Sequence, residues 1–229
     1  LGVEQDYTKA KELYEKSAAQ DNPEAQYKLG YLYEKGLGVE QDYTKAKELY
    51  EKSATQDNPE AQYSLGYLYE KGLGVEKDYL ESFMWYEKSA TQDNPEASYK
   101  IGEFYEKRYY GIYWEEHNEK YYYNKAASLG NIKAQIKLAF LYEKEGNYKS
   151  AFHWYKKLAE IGHSESQYKL GCLYEKEGKD KSAFYWYKQS AEQGNSEAQY
   201  KLGCLYEEEG KDKSAFYWYK QSSKNGNEK

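Results

Sequence analysis

The sequence predicts an all-α solenoid, a stack of helix hairpins, and two observations carry that prediction. The segment Ala25-Gln-Tyr-Lys-Leu-Gly-Tyr-Leu-Tyr returns almost unchanged at Ala61, and related segments begin at Ala97, Ala134, Ser166 and Ala198, with spacings of 36, 36, 37, 32 and 32 residues. Within each unit, small and apolar residues recur with the period of a helix rather than of a strand. Residues 1–24 match 37–60 except for Ala19 against Thr55, so the chain opens half-way through a unit. One continuous array over 1–229 is expected: the second half of a repeat at 1–24, then repeats at 25–60, 61–96, 97–133, 134–165, 166–197 and 198–229.

Each half of a unit reads as one helix. In the first, Ala25, Leu29, Leu32 and Tyr33 share a face, and in the second Ala46, Leu49, Tyr50, Ser53 and Ala54 do so. Asn22-Pro23-Glu24 supplies a cap, a proline for the first helical position and an acid for the first turn. Later units use a glycine stop and a new cap, as in Gly194-Asn195-Ser196-Glu197. A glycine falls mid-helix at Gly30, Gly66, Gly102, Gly171 and Gly203, with Ala139 in the remaining unit. There it costs about 1 kcal/mol relative to alanine, which predicts close approach of the partner helix. Most of the 31 tyrosines occupy repeated positions, Tyr33 and Tyr50 among them, and are assigned to packing between stacked hairpins.

Composition excludes several classes. With 33 basic and 39 acidic residues the formal net charge is −6, a poor match to nucleic acid. Mean hydropathy is −1.17, and no apolar run is long enough to insert into a membrane. Cys172 and Cys204 hold one place in successive copies, so neither a disulfide framework nor a zinc site is indicated. Both read as reduced, which points to a cytoplasmic chain. His153 stands where Tyr185 and Tyr217 stand in later copies, His163 stands in the place of Asn195, and His117 belongs to an irregular insertion. No catalytic residues, metal ligands or cofactor motif emerge, and the chain is read as no enzyme.

Ala25, Leu29, Gly30, Tyr33, Gly36, Gly38, Val39 and Asp42, followed by Lys45, Ala46, Tyr50, Lys52 and Ala54, form a pattern that resembles the Sel-one-like repeat (SLR) family. These repeats are relatives of the tetratricopeptide repeat. The resemblance covers essentially the whole chain, although the last three units drop the Gly-x-Gly-Val loop and take tetratricopeptide spacing at Tyr142, Gly146 and Ala151. It implies a right-handed α-α superhelix (solenoid) of SLR/tetratricopeptide-like hairpins, with a change of curvature near 108–145. It also implies a non-catalytic scaffold or adaptor that binds a peptide segment or partner protein on its concave surface. The penicillin-binding activity of some cysteine-rich relatives is not transferred, because the paired cysteines they carry in each repeat are absent. Two alternatives stay open: a regulatory or localising segment of a longer signalling protein such as a kinase, with sequence upstream of Leu1, and a structural array that self-associates through its terminal repeats.

By analogy with tetratricopeptides, the binding row lies on the first helix of each unit. It comprises Tyr27, Tyr31 and Glu34, then Tyr63, Tyr67 and Glu70, then Tyr99, Glu103 and Glu106. The later units contribute Ile136, Phe140 and Glu143, then Tyr168, Cys172 and Glu175, then Tyr200, Cys204 and Glu207. Glutamates beside aromatic rings suit a segment carrying basic and apolar residues. A second candidate is the insertion that holds Tyr109, Tyr110, Tyr113 and Trp114 beside Arg108.

Overall fold

The computed structural model describes residues 6–108 and 118–226, and every regular element among them is an α-helix. The chain divides into two compact units, Leu1–Asn131 and Ile132–Lys229. The first holds α1 (Tyr7–Ala18), α2 (Pro23–Lys35), α3 (Tyr43–Ala54), α4 (Pro59–Lys71), α5 (Tyr79–Thr91), α6 (Pro95–Lys107) and α7 (Asn118–Ser128). The second holds α8 (Ile132–Lys144), α9 (Tyr148–Glu160), α10 (Ser164–Lys176), α11 (Asp180–Glu192), α12 (Ser196–Glu208) and α13 (Asp212–Lys224). Even-numbered helices are the first of each hairpin, called A helices below; odd-numbered ones are B helices. Within each unit an A helix packs on the B helix that follows it and on the one that precedes it.

Helix starts follow the capping chemistry. The Asn22, Asn58 and Asn94 side chains accept from the amides of Ala25, Ala61 and Ala97 at 2.9, 2.8 and 2.9 Å. His163 takes that role at the head of α10, where Nδ1 accepts from the Ser166 amide at 3.3 Å. The residue before each cap turns left-handed: Asp21, Asp57 and Asp93 have φ of 65, 60 and 59°, and Gly162 and Gly194 have 90 and 92°. A short polar side chain tolerates that region, so aspartate and glycine serve the same turn.

The mid-helix glycines are where the hairpins close. A Cβ at Gly30, Gly66 or Gly102 would lie 2.8, 2.9 or 2.6 Å from the ring of Tyr50, Tyr86 or Tyr123. At Gly171 and Gly203 it would meet Tyr187 and Tyr219 at 2.6 Å. The B-helix tyrosine thus lies flat on bare A-helix backbone, and Tyr50, Tyr86, Tyr123 and Tyr187 are fully buried. Between hairpins, Phe83 meets Tyr105, Phe152 meets Tyr174 and Phe184 meets Tyr206, each edge to face.

The 36-residue repeats spend their extra residues on a second close contact. Gly74 has φ of 66°, and a Cβ there would come within 2.5 Å of the Tyr43 backbone at the start of α3. Gly38 meets Tyr7 of α1 in the same way, at 2.7 Å. The Gly-x-Gly-Val loop therefore seats on the first turn of the preceding B helix. Gly146 and Gly178, at the shorter connections, have nothing within 4 Å. Replacing Gly74 by alanine is expected to lower stability by about 2–3 kcal/mol through backbone strain and overlap. Gly178→Ala carries the strain alone, about 1 kcal/mol. Urea unfolding midpoints of the two variants check the difference.

Candidate functional site

The A-helix row splits into rings that point outward and carboxylates that point into the hairpin. Tyr31 is 40% exposed and Phe140 54%. Tyr27, Tyr63, Tyr67, Tyr99, Ile136, Tyr168 and Tyr200 are half-buried. Tyr27, Tyr63 and Tyr99 stack at a tilt on the buried Tyr50, Tyr86 and Tyr123, with centroids 5.8, 5.4 and 5.6 Å apart. In the second unit Tyr168 and Tyr200 do the same on Tyr187 and Tyr219, at 5.9 and 5.6 Å. Tyr31 and Tyr67 are not among these stacks, and they flank a depression of about 310 Å³ between α2 and α4.

The glutamates lie one helical turn beyond the glycines and take the tyrosine hydroxyls. Tyr50 donates to Glu34 at 2.7 Å, Tyr86 to Glu70 at 2.8 Å and Tyr123 to Glu106 at 2.7 Å. Tyr155, Tyr187 and Tyr219 donate to Glu143, Glu175 and Glu207 at 2.6, 2.7 and 2.7 Å. Ala139 replaces glycine over Tyr155, and that latch still forms. Glu34 and Glu70 are buried as a result, while Glu106, Glu175 and Glu207 keep an exposed edge. Sequence reasoning placed these carboxylates on the binding face and missed the tyrosine that holds each. The signal was the constant pairing of one Tyr with one Glu in every unit.

A second partner comes from the next A helix. Lys100 lies 3.2 Å from Glu70, Lys169 3.2 Å from Glu143 and Lys201 3.0 Å from Glu175. Lys100 also meets Glu103 at 3.1 Å. Burial pushes the Glu70 carboxyl up, but Lys71, Lys100 and the Tyr86 hydroxyl outweigh it and hold the group below the ordinary carboxylate range. Burial first, then the facing glutamate, pushes the Tyr50, Tyr86, Tyr123 and Tyr155 hydroxyls well above the usual tyrosine range. The Tyr86–Glu70 latch is therefore a neutral phenol donating to a charged carboxylate.

Tyr109, Tyr110, Tyr113, Trp114 and His117 lie outside the described residues. His153 packs edge to face on Trp154, as Tyr185 packs on Trp186 and Tyr217 on Trp218. Cys172 and Cys204 are free thiols, half-buried at the place Tyr31 and Tyr67 occupy in the first unit. Among the described residues no group of three or more His, Cys, Asp or Glu side chains is placed to hold a metal ion. No helix among them is long and apolar enough to cross a membrane.

Repeated hairpins closed by a glycine and a tyrosine define a tetratricopeptide-like helical repeat protein, an interaction module. The Sel1 repeat family matches residues 1–22, 23–58, 59–94, 120–131, 132–163, 164–195 and 196–227, and the chain belongs to that family. The frames at 23, 59, 132, 164 and 196 start at the helix proline or its equivalent, two residues upstream of the positions from which the repeats were counted above. A protective antigen of uropathogenic Escherichia coli strains that displays an SLR fold is 33% identical, with a TM-score of 0.74. That match covers 98% of this chain but 52% of the antigen, so the chain spans about half its length. A Sel1 repeat protein from Oxalobacter formigenes is 32% identical over 95% of this chain and 92% of its own, with a TM-score of 0.69. YrrB, described as a TPR protein with an unusual peptide-binding site, is 18% identical over 79% of this chain and 93% of its own, with a TM-score of 0.53, a likeness of fold alone. No curated protein matches the chain.

Two outcomes test the latch. Tyr86→Phe leaves the buried Glu70 short of a donor and is expected to cost about 2 kcal/mol in urea unfolding. Tyr219→Phe, facing an exposed Glu207, is expected to cost less than about 0.5 kcal/mol. Because the Glu70 pKa is depressed in the folded chain, its stabilising share is complete above about pH 4.5, its ordinary value, and is lost as pH falls further. Thermal midpoints are therefore expected to fall on that acid side, and less steeply for Glu70→Gln.

Proposed function

We propose that the A-helix face is an adaptor surface that receives a segment of a partner protein, basic and apolar in composition. The observation that supports this most directly is the depression between α2 and α4, where the Tyr31 and Tyr67 rings flank the nearly buried Glu34 carboxylate. Aromatic rings around an acidic floor favour a cationic side chain on an apolar stem. The contributing residues in the first unit are Tyr27, Tyr31, Glu34, Tyr63, Tyr67, Glu70, Tyr99, Glu103 and Glu106. In the second unit they are Ile136, Phe140, Glu143, Tyr168, Glu175, Tyr200 and Glu207. Glu70 and Glu143 act as a fixed negative floor, since a lysine of the next A helix already engages each carboxylate; Glu34, the rings and the exposed edges of Glu106, Glu175 and Glu207 make the contacts.

A second reading, self-association through a terminal repeat, has one observation in its favour. Phe216 is 70% exposed, whereas Phe83, Phe152 and Phe184 each meet a tyrosine of the following A helix. A peptide-library selection on the purified chain separates the two. Selected peptides are expected to share basic and apolar residues and to lose at least tenfold in affinity for Tyr31→Ser/Tyr67→Ser. Failure to enrich any motif, together with dimers that Phe216→Ser abolishes in sedimentation, would instead establish the second reading.

A further inference from the structure

At three junctions between A helices the same lysine position closes the stack. Lys100 reaches Glu70, Lys169 reaches Glu143 and Lys201 reaches Glu175, at 3.2, 3.2 and 3.0 Å. At the junction of α2 with α4 the residue in that position is Ser64. Glu34 keeps its bond from Tyr50 and an ion pair with Lys35, but it receives no lysine from the next A helix. Where the ammonium would lie there is instead an opening of about 310 Å³, walled by Tyr27, Tyr31, Lys35, Tyr63 and Tyr67 and floored by Glu34 and Ser64.

We propose that this opening is a subsite for the primary ammonium of a lysine side chain, supplied by the partner segment in place of the lysine that Ser64 replaces. The inference rests on the adaptor reading above and names the recognition chemistry at its centre. The chain itself provides the template. Glu70 holds the Tyr86 hydroxyl, Lys71 and Lys100 together, so a carboxylate in this setting accepts two ammonium groups and a phenol. Lys35, the counterpart of Lys71, therefore leaves room for one more. The Glu34 side chain is only 8% exposed, which keeps its charge from being screened. The four rings offer the methylene stem an apolar wall; Lys28, Lys35 and Lys71 already lie over the Tyr27, Tyr31 and Tyr67 rings, so the incoming ammonium is held by the Glu34 carboxylate. Serine is small enough to leave the space open and adds a hydroxyl at the floor, beside the Tyr50 hydroxyl.

The test is a titration of the whole chain with N-acetyl-lysine methylamide, followed by amide shifts in two-dimensional NMR, with N-acetyl-norleucine methylamide as the uncharged control. Saturable shifts are expected around residues 27–35 and 62–68 for the lysine probe and none for norleucine. Ser64→Lys should fill the opening from within and weaken the probe at least tenfold while keeping or raising the melting temperature. Glu34→Gln should weaken it comparably. No saturable shift in the wild type, or equal binding by Ser64→Lys, overturns the subsite. If library peptides still require Tyr31 and Tyr67 while Ser64→Lys binds them unchanged, the adaptor face stands and the lysine subsite fails. If the lysine probe binds in a Ser64-dependent way while no peptide is selected, the subsite stands and the adaptor reading fails.

Discussion

A phenol ring pressed on bare helix backbone, with its hydroxyl on a carboxylate one turn further along, holds each hairpin together. Gly66, Tyr86 and Glu70 show it most fully: the glycine admits the ring, the ring buries the hydroxyl, and the carboxylate satisfies it. Each part depends on the others. A side chain at the glycine would push the ring away, and loss of the hydroxyl would leave a charged group facing an apolar seam. The glycine gives up helix propensity, and the buried aromatic surface more than offsets that loss. Ala139 marks the tolerance, since Tyr155 still reaches Glu143 across a methyl group.

The same carboxylate then ties neighbouring hairpins. Lys100, Lys169 and Lys201 each cross from one A helix to the previous one, so a single glutamate serves the hairpin and the stack at once. Burial matters to how much such a pair contributes. Glu70 is 5% exposed and Glu175 is exposed, so the first pair is shielded from salt and the second competes with water. The proposed adaptor function falls on the part of the helix this machinery leaves free, the outward rings and the junction where Ser64 stands in place of the lysine.

Much of the fold was legible because it is local. Asn22-Pro23-Glu24 and its copies mark helix starts, and the recurrence of glycine between apolar residues announces close contact. The direction of the glutamates was not legible. Glu34 lies at the border of the exposed face, and a helical pattern places it there without saying that Tyr50, sixteen residues on and antiparallel, reaches back to it. That register depends on the connecting loop, which is why the interval shortens to twelve residues from Tyr155 onward. Of the rings in that row Tyr31 and Phe140 are exposed, whereas which of its members touch a partner depends on contacts that no single chain contains.

The Gly-x-Gly-Val loop, the latch and the lysine bridge all join residues of one repeat to the same repeat or an adjacent one. Whole repeats can therefore be gained or lost by recombination between near-identical stretches without leaving any surviving interface unmatched. The stretches 1–24 and 37–60, which differ at one position, are similar enough for such exchange. Loss of 59–94 would place Lys100 at the position of Ser64, opposite Glu34, and fill the tyrosine-walled opening, so on the proposed reading copy number sets binding capacity as well as length.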